Sequence, residues 1–183
     1  MSCENWMSWE GGVDLIALTA ADLAMPNVIV HVARMVHTPV GSAPSGMVFW
    51  QPDPAAPPAA FGFVSADPAV GAYFGKHIFA GTPFENAPVI VGSISIETGG
   101  GEASARVEIP GFVFETRLTG LAPAALVNRD PLPTAPFHQQ GLEAPAGGAS
   151  LKVNGTDVAL TIPPVGITGG PCAVLAPCGI YAR

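Results

Sequence analysis

Lys76 is one of only two lysines in the chain, and it lies in an aromatic stretch, residues 72–79. Burial disfavours an ammonium ion, so a lysine surrounded by aromatic rings can lose several pKa units and act as an amine nucleophile near neutral pH. The sequence therefore predicts either a Schiff-base lysine in an apolar pocket or a lysine whose stem packs on the rings while its head stays in water. In the first case Tyr73, Phe74 and Phe63 are the predicted walls of the substrate pocket.

Two further polar residues are candidates for the same site. His77 follows the lysine directly and could shuttle protons for it, although neighbouring residues on a strand point to opposite faces. Arg34 lies in the apolar run 28–36, where an inward-facing arginine needs a partner. We expect either an ion pair with one of the acids or a site for a substrate carboxylate.

The spacing of the histidines and cysteines predicts no metal site. His31 and His37 are six residues apart, which on a strand separates them by about 20 Å. Cys3, Cys172 and Cys178 match no common zinc motif and are interpreted as buried thiols. The glycine clusters do not precede a helix, so they predict no phosphate loop, and we expect no cofactor.

Composition narrows the choice of partners. The net charge of −7, with scattered basic residues, argues against nucleic-acid binding. Charged residues make up only 11% of the chain and apolar ones 49%, which favours a homo-oligomer that hides apolar surface, with a compact monomer as the alternative. No apolar run is long enough to span a membrane, and the first residues do not resemble a secretory signal, so we expect a cytoplasmic location and no membrane partner.

The spacing of glycine and proline predicts short strands. There are 22 glycines and 20 prolines, and several segments between them alternate apolar and polar residues. Asn154-Gly155 between β-type flanks predicts a two-residue hairpin turn. We expect one domain over 1–183: a mainly β, antiparallel, closed or nearly closed β-barrel with one or two short helices. Residues 13–24 are predicted as a helix, in an N-terminal arm over 1–27 that packs on the barrel or on a neighbouring subunit.

The order of these segments resembles that of the acetoacetate decarboxylase-like superfamily. The lysine segment 72–76 follows a Pro/Gly-rich loop at 38–44, and the segments 147–151 and 179–183 are similar in placement to the family's closing strands. Gly75 stands where the family has proline before its lysine, His77 where a second lysine often lies, and the glutamate expected after the Pro-Val-Gly loop is missing.

The resemblance implies a cone-shaped barrel in an oligomer, with Lys76 as Schiff-base nucleophile of a lyase that acts on a small keto acid. Two alternatives stay open. One is a barrel that binds a small molecule without covalent chemistry, as a cyclase or carrier does. The other is a structural or assembly subunit.

Overall fold

The computed structural model describes residues 4–183, so Cys3 and the start of the predicted N-terminal arm lie outside the described residues. The chain is mainly β, and a strongly curled sheet forms a half-barrel, as expected. The helical part comprises α1 Pro68–Tyr73 and a π-helical turn, α2 Phe74–Ile78. The strands are β1 Trp6–Ala17, β2 Val28–Thr38, β3 Gly41–Trp50, β4 Ala60–Ser65, β5 Val89–Val91, β6 Ser93–Gly99, β7 Glu102–Ile109, β8 Phe112–Leu121, β9 Ala125–Arg129, β10 His138–Val153, β11 Thr156–Val158 and β12 Ala173–Ala182.

The sheet runs in the order β5-β4-β3-β2-β1-β12-β10-β8-β7-β6, with β9 and β11 each paired to β10. Every pairing is antiparallel except that of β4 with β5. The two edge strands β5 and β6 follow each other in the chain and are joined by Gly92 alone. A side chain at Gly92 would collide with Val64 of β4 and with the backbone of Glu108 on β7. The sheet therefore curls until its two ends nearly meet at this glycine.

Two apolar clusters lie on the two faces of the sheet. The inner cluster fills the half-barrel, where β6 packs across the interior against β2 and β3. The outer cluster lies where α1, α2 and two loops cover β1 to β4 and β12, and it contains most of the aromatic rings. These rings include Trp9, Phe63, Phe74, Phe79, Phe137 and Tyr181.

The β6–β7–β8 hairpins confirm the predicted alternation. Their apolar side chains are buried in the inner cluster, and their charged side chains form a solvated ladder of ion pairs on the other face. The hairpin turn between β10 and β11 has φ of 51° at Asn154 and 78° at Gly155, as the Asn-Gly pair requires. At the start of α1, the Asp67 carboxylate accepts a hydrogen bond from the backbone N–H of Ala69 at 2.8 Å and so caps the helix.

The prediction for the N-terminal segment was wrong. Residues 13–24 do not form a helix, because 13–17 belong to β1, which pairs with β2 on one side and β12 on the other. The segment is thus a central strand of the barrel and not an arm upon it. At the other end of the chain, β12 continues through Pro177.

Within residues 4–183, no helix is both long and apolar enough to cross a membrane. In the same part of the chain Cys172 is a buried free thiol and Cys178 an exposed one, so the thiol prediction holds only for the first.

Candidate functional site

The structure places Lys76 on the exposed side of α2. Tyr73, Phe74 and Phe63 are buried beneath it, and the Phe63 and Phe74 rings meet edge to face at 5.5 Å. The rings therefore pack on one another within the outer cluster while the lysine points away from them. The Schiff-base prediction requires a buried Lys76, whereas the structure leaves this residue exposed.

His77 is held by neighbours other than the lysine. Its ring stacks on Tyr73 with centroids 4.4 Å apart, and Nδ1 lies 3.1 Å from the Asn5 side-chain oxygen. The Tyr73 hydroxyl accepts a hydrogen bond from the Trp6 backbone N–H. Both contacts fasten α1 and α2 to the start of β1.

Arg34 is exposed as well. Its guanidinium lies 3.9 Å from the Glu10 carboxylate, so Arg34 forms the ion pair that was one of the two expectations for it. A shift in the β2–β3 pairing between Ala33 and Val36 turns this part of β2 outward. The predicted site residues thus divide between an exposed lysine, a packed aromatic cluster and a distant surface arginine.

A different set of polar residues is brought together on the outer face of the sheet. Asp14 on β1 and His31 on β2 are direct cross-strand partners, and the His31 Nδ1 lies 2.6 Å from the Asp14 carboxylate. Their side chains are only 23% and 18% exposed. Burial lowers the pKa of His31, but the charge and hydrogen bond of Asp14, with the charge of Glu143, more than offset it, so the pKa lies above its usual value.

The backbone at Gly11 explains why Asp14 faces this way. Gly11 has φ of +63°, a left-handed conformation that glycine adopts without strain, and it interrupts the alternation of β1. The pairings of β1 with β2 and with β12 keep one register on both sides of Gly11. Trp9 before this glycine and Ile16 after it both belong to the outer cluster, whereas Val13 packs inside the barrel. The same interruption places Asp14 on the outer face, beside His31.

Tyr181 on β12 lies next to this pair. Its ring is parallel to that of His31, with centroids 6.3 Å apart, and it stacks on Phe137 at 3.9 Å. Burial raises the pKa of the phenol well above its ordinary value, and the negative charges of Asp14 and Glu143 add to the rise. The phenol therefore stays protonated at neutral pH and can donate a hydrogen bond.

A buried ion pair lies on the other side of these polar residues. The Arg129 guanidinium on β9 donates to both oxygens of Glu143 on β10, at 2.5 and 2.7 Å. Gln139, which is opposite Arg129 on β9 and opposite Tyr181 on β12, donates from Nε2 to the same carboxylate at 2.9 Å. The hydrogen bond from Arg129 to Glu143 raises the pKa of the guanidinium despite its partial burial.

One atom of this network has no partner. Gln139 Oε1 and, elsewhere, Thr116 Oγ1 are the buried side-chain atoms without a hydrogen bond within residues 4–183. Gln139 is 4% exposed, and a buried acceptor left unpaired costs about 1–3 kcal/mol. Such a cost in the middle of an otherwise satisfied network indicates a place for an external donor.

These residues line a cavity on the outer face of the sheet. Asp14, His31, Gln139, Glu143 and Tyr181 supply its polar wall. Its volume is about 20 Å³, enough for one water molecule. The apolar wall and the cover come from Ile16, Ile29, Met47, Phe79, Ile167, Thr168, Pro171 and Val174.

Two larger hollows, of about 440 and 460 Å³, lie on the solvated face of β6 to β8. Their charged side chains already pair with each other, as Arg106 does with Glu115 and Arg117 with Glu102. These four side chains are 41–61% exposed, so the smaller buried cavity is the better candidate for chemistry. In the part of the chain that the structure describes, no group of three or more His, Cys, Asp or Glu side chains could hold a metal ion.

The chain matches no family model, no curated protein and no solved structure. The likeness to the acetoacetate decarboxylase-like superfamily therefore stays a prediction from the sequence.

None of these residues is among the site residues that the sequence predicts. His31 interrupts the apolar run 28–36, a pattern typical of a strand that is buried on both faces or lines a cavity. Asp14 breaks the apolar run 13–18 in the same way, but that run was interpreted as a helix. Gln139 and Glu143 carried no signal of their own, because β10 is rich in glycine and alanine and was not recognised as one long strand.

Proposed function

We propose that this protein is an enzyme that binds a small molecule without forming a covalent bond to it and transfers a proton at a carbon beside a carbonyl group. The observation that supports this most is that the Asp14–His31 pair and the protonated phenol of Tyr181 line one cavity. A base and a neutral hydrogen-bond donor with divergent pKa values, set side by side in an apolar pocket, are the groups that enolisation needs.

The proposed step uses His31 as the general base. Because Asp14 holds Nδ1, the Nε2 atom of neutral His31 takes the proton from carbon. The electron pair of the broken C–H bond forms a carbon–carbon double bond, and the carbonyl oxygen gains negative charge. The Tyr181 phenol donates a hydrogen bond to that oxygen, and Asp14 stabilises the imidazolium. Return of the proton to the same carbon exchanges it with solvent, and return to another carbon isomerises the substrate.

A substrate larger than water reaches these groups only when the cover moves. Ile167, Thr168 and Pro171 belong to a loop between β11 and β12 with four glycine or proline residues at 166 and 169–171. The loop is held by the hydrogen bond from the Thr134 hydroxyl to the Ile167 carbonyl at 2.7 Å and by a turn of its own, in which the Gly166 N–H donates to the Gly170 carbonyl at 2.8 Å. Loops of this kind open at small cost and exclude water when closed.

The Schiff-base lyase with Lys76 as nucleophile has less support, since its amine is exposed. The alternative from the sequence, a barrel that handles a small molecule without covalent chemistry, agrees better with the cavity. Homo-oligomer formation and a cytoplasmic location remain predictions from composition.

Exchange of the α-protons of butanone in D₂O, followed by proton NMR, tests the proposal without knowledge of the natural substrate. We expect wild-type protein to accelerate exchange above the buffer rate. His31→Gln should lower the catalysed rate by about 100-fold or more, and Tyr181→Phe by at least about tenfold.

His37→Gln is the matched control, because His37 also pairs with a carboxylate, that of Glu10 at 3.1 Å, but lies on the surface. It should leave the rate unchanged. Wild-type exchange no faster than buffer, or equal rates in wild type and His31→Gln, would refute the proposed function.

A further inference from the structure

The unpaired acceptor at Gln139 defines one feature of the substrate. Its side chain is buried, and Nε2 is engaged by Glu143, which fixes the orientation of the amide. Oε1 has no partner among the described residues, and Gln139 lines the same cavity as His31 and Tyr181. A substrate with a hydroxyl group would donate to Oε1 and satisfy it.

The charges around the cavity define a second feature. Within residues 4–183, His31 is the only lining side chain that can carry positive charge, and it is paired with Asp14. Behind the wall, the Arg129 guanidinium is engaged by both oxygens of Glu143. A carboxylate or phosphate on the substrate would therefore meet two carboxylates and no free cation. This arrangement disfavours an anionic substrate, including the keto acid expected from the sequence.

We infer that the substrate is an uncharged α-hydroxy carbonyl compound, an inference that rests on the proposed function. Its hydroxyl group donates to Gln139 Oε1, and its carbonyl oxygen accepts from the Tyr181 phenol. Removal of a proton from the hydroxyl-bearing carbon by His31 gives an enediolate, whose negative oxygen accepts the hydrogen bond from Tyr181, and the hydroxyl proton then passes to that oxygen. Protonation of the former carbonyl carbon then moves the carbonyl group to its neighbour. The conversion of a hydroxyketone into a hydroxyaldehyde is balanced in atoms and electrons, so it needs no oxidant or reductant.

Three probes of similar size separate the features. Hydroxyacetone carries the hydroxyl group, and butanone has a methyl group in its place. Pyruvate has a carboxylate in place of the whole hydroxymethyl group. Each enzymatic rate of α-proton exchange in D₂O is divided by the buffer rate for the same probe, which removes differences in intrinsic acidity. We expect the acceleration of hydroxyacetone to exceed that of butanone about tenfold, and pyruvate to show none.

Gln139→Met removes the acceptor at nearly constant volume, and Gln140→Met is its matched control on the exposed side of β10. The first variant should lower the acceleration of hydroxyacetone about tenfold relative to that of butanone, so that the preference disappears, and the second variant should preserve the preference. Equal acceleration of hydroxyacetone and butanone by wild-type protein, or acceleration of pyruvate, would overturn the inference and leave the proposed function standing. This comparison does not depend on whether either variant folds. Absence of exchange with all three probes would instead refute the proposed function, and the inference with it.

Discussion

The buried ion pair of Arg129 and Glu143 allows a quantitative test of how the site is held together. The two side chains are 19% and 7% exposed, and two hydrogen bonds join them. Arg129→Met would leave a buried carboxylate with one remaining donor, Gln139 Nε2. Loss of one partner of a buried pair costs about 3–5 kcal/mol, a large fraction of the 5–15 kcal/mol by which such domains are stable.

Urea unfolding followed by tryptophan fluorescence measures this loss. With an m value of about 2 kcal/mol per molar urea, Arg129→Met should lower the midpoint by about 1.5–2.5 M. The double variant Arg129→Met/Glu143→Gln removes the unpaired charge and should recover at least about half of the loss, so the two single effects should not add.

Arg117→Met is the matched control, because the Arg117–Glu102 pair is exposed at 61% and 42%. Its loss should be below about 1 kcal/mol. If Arg129→Met shifts the midpoint no more than Arg117→Met, or if the double variant is as unstable as the sum of the single ones, Arg129 and Glu143 do not stabilise the fold as a buried pair.

Three further predictions concern other parts of the molecule. Burial lowers the pKa of His31, but Asp14 raises it to a value above 6.5. The pairing of His31 with Asp14 therefore stabilises the fold fully below about pH 6.5, and this stabilisation is lost as pH rises through the folded pKa. Urea midpoints measured across pH should show the decline in wild type, and Asp14→Asn should abolish it. Borohydride reduction with pyruvate should add no mass at Lys76, since its amine is exposed; a stoichiometric adduct there would restore the lyase hypothesis. Gly46→Ala should lower the free energy of unfolding by more than about 2 kcal/mol, because its Cβ would overlap the His31 carbonyl across the sheet. Gly99 has open space around it, so Gly99→Ala should change this free energy by no more than about 0.5 kcal/mol, as measured by thermal unfolding.

The fold class could be predicted because local physics determines it. The alternation in residues 103–118 specifies which side faces the core, and Asn154-Gly155 leaves one hairpin turn available. Both signals come from residues that are close in the sequence. They predict antiparallel strands in a curled sheet, but they do not predict which distant strands lie side by side.

The site could not be predicted, because its members meet only through strand register. Asp14 joins His31 across β1 and β2, and Gln139 joins Tyr181 across β10 and β12, a separation of 42 positions in the chain. The left-handed backbone at Gly11 also reverses the face of β1, which no periodic pattern anticipates.

Lys76 shows that neighbours in the sequence need not be neighbours in space. Tyr73 and Phe74 are buried in the outer cluster, whereas the lysine lies on the exposed side of α2. Adjacent residues on a helical turn are about 100° apart around its axis, so a polar residue among rings can easily face solvent.

The pH dependence of butanone exchange tests the central proposal most directly, because it reports on the base itself. The catalysed rate should rise with pH as His31 loses its proton, with a midpoint above 6.5. Asp14→Asn should move that midpoint lower, since burial then outweighs the remaining charge of Glu143. A rate that does not change between pH 5 and 9, or a midpoint that Asp14→Asn leaves in place, would contradict proton transfer by the Asp14–His31 pair.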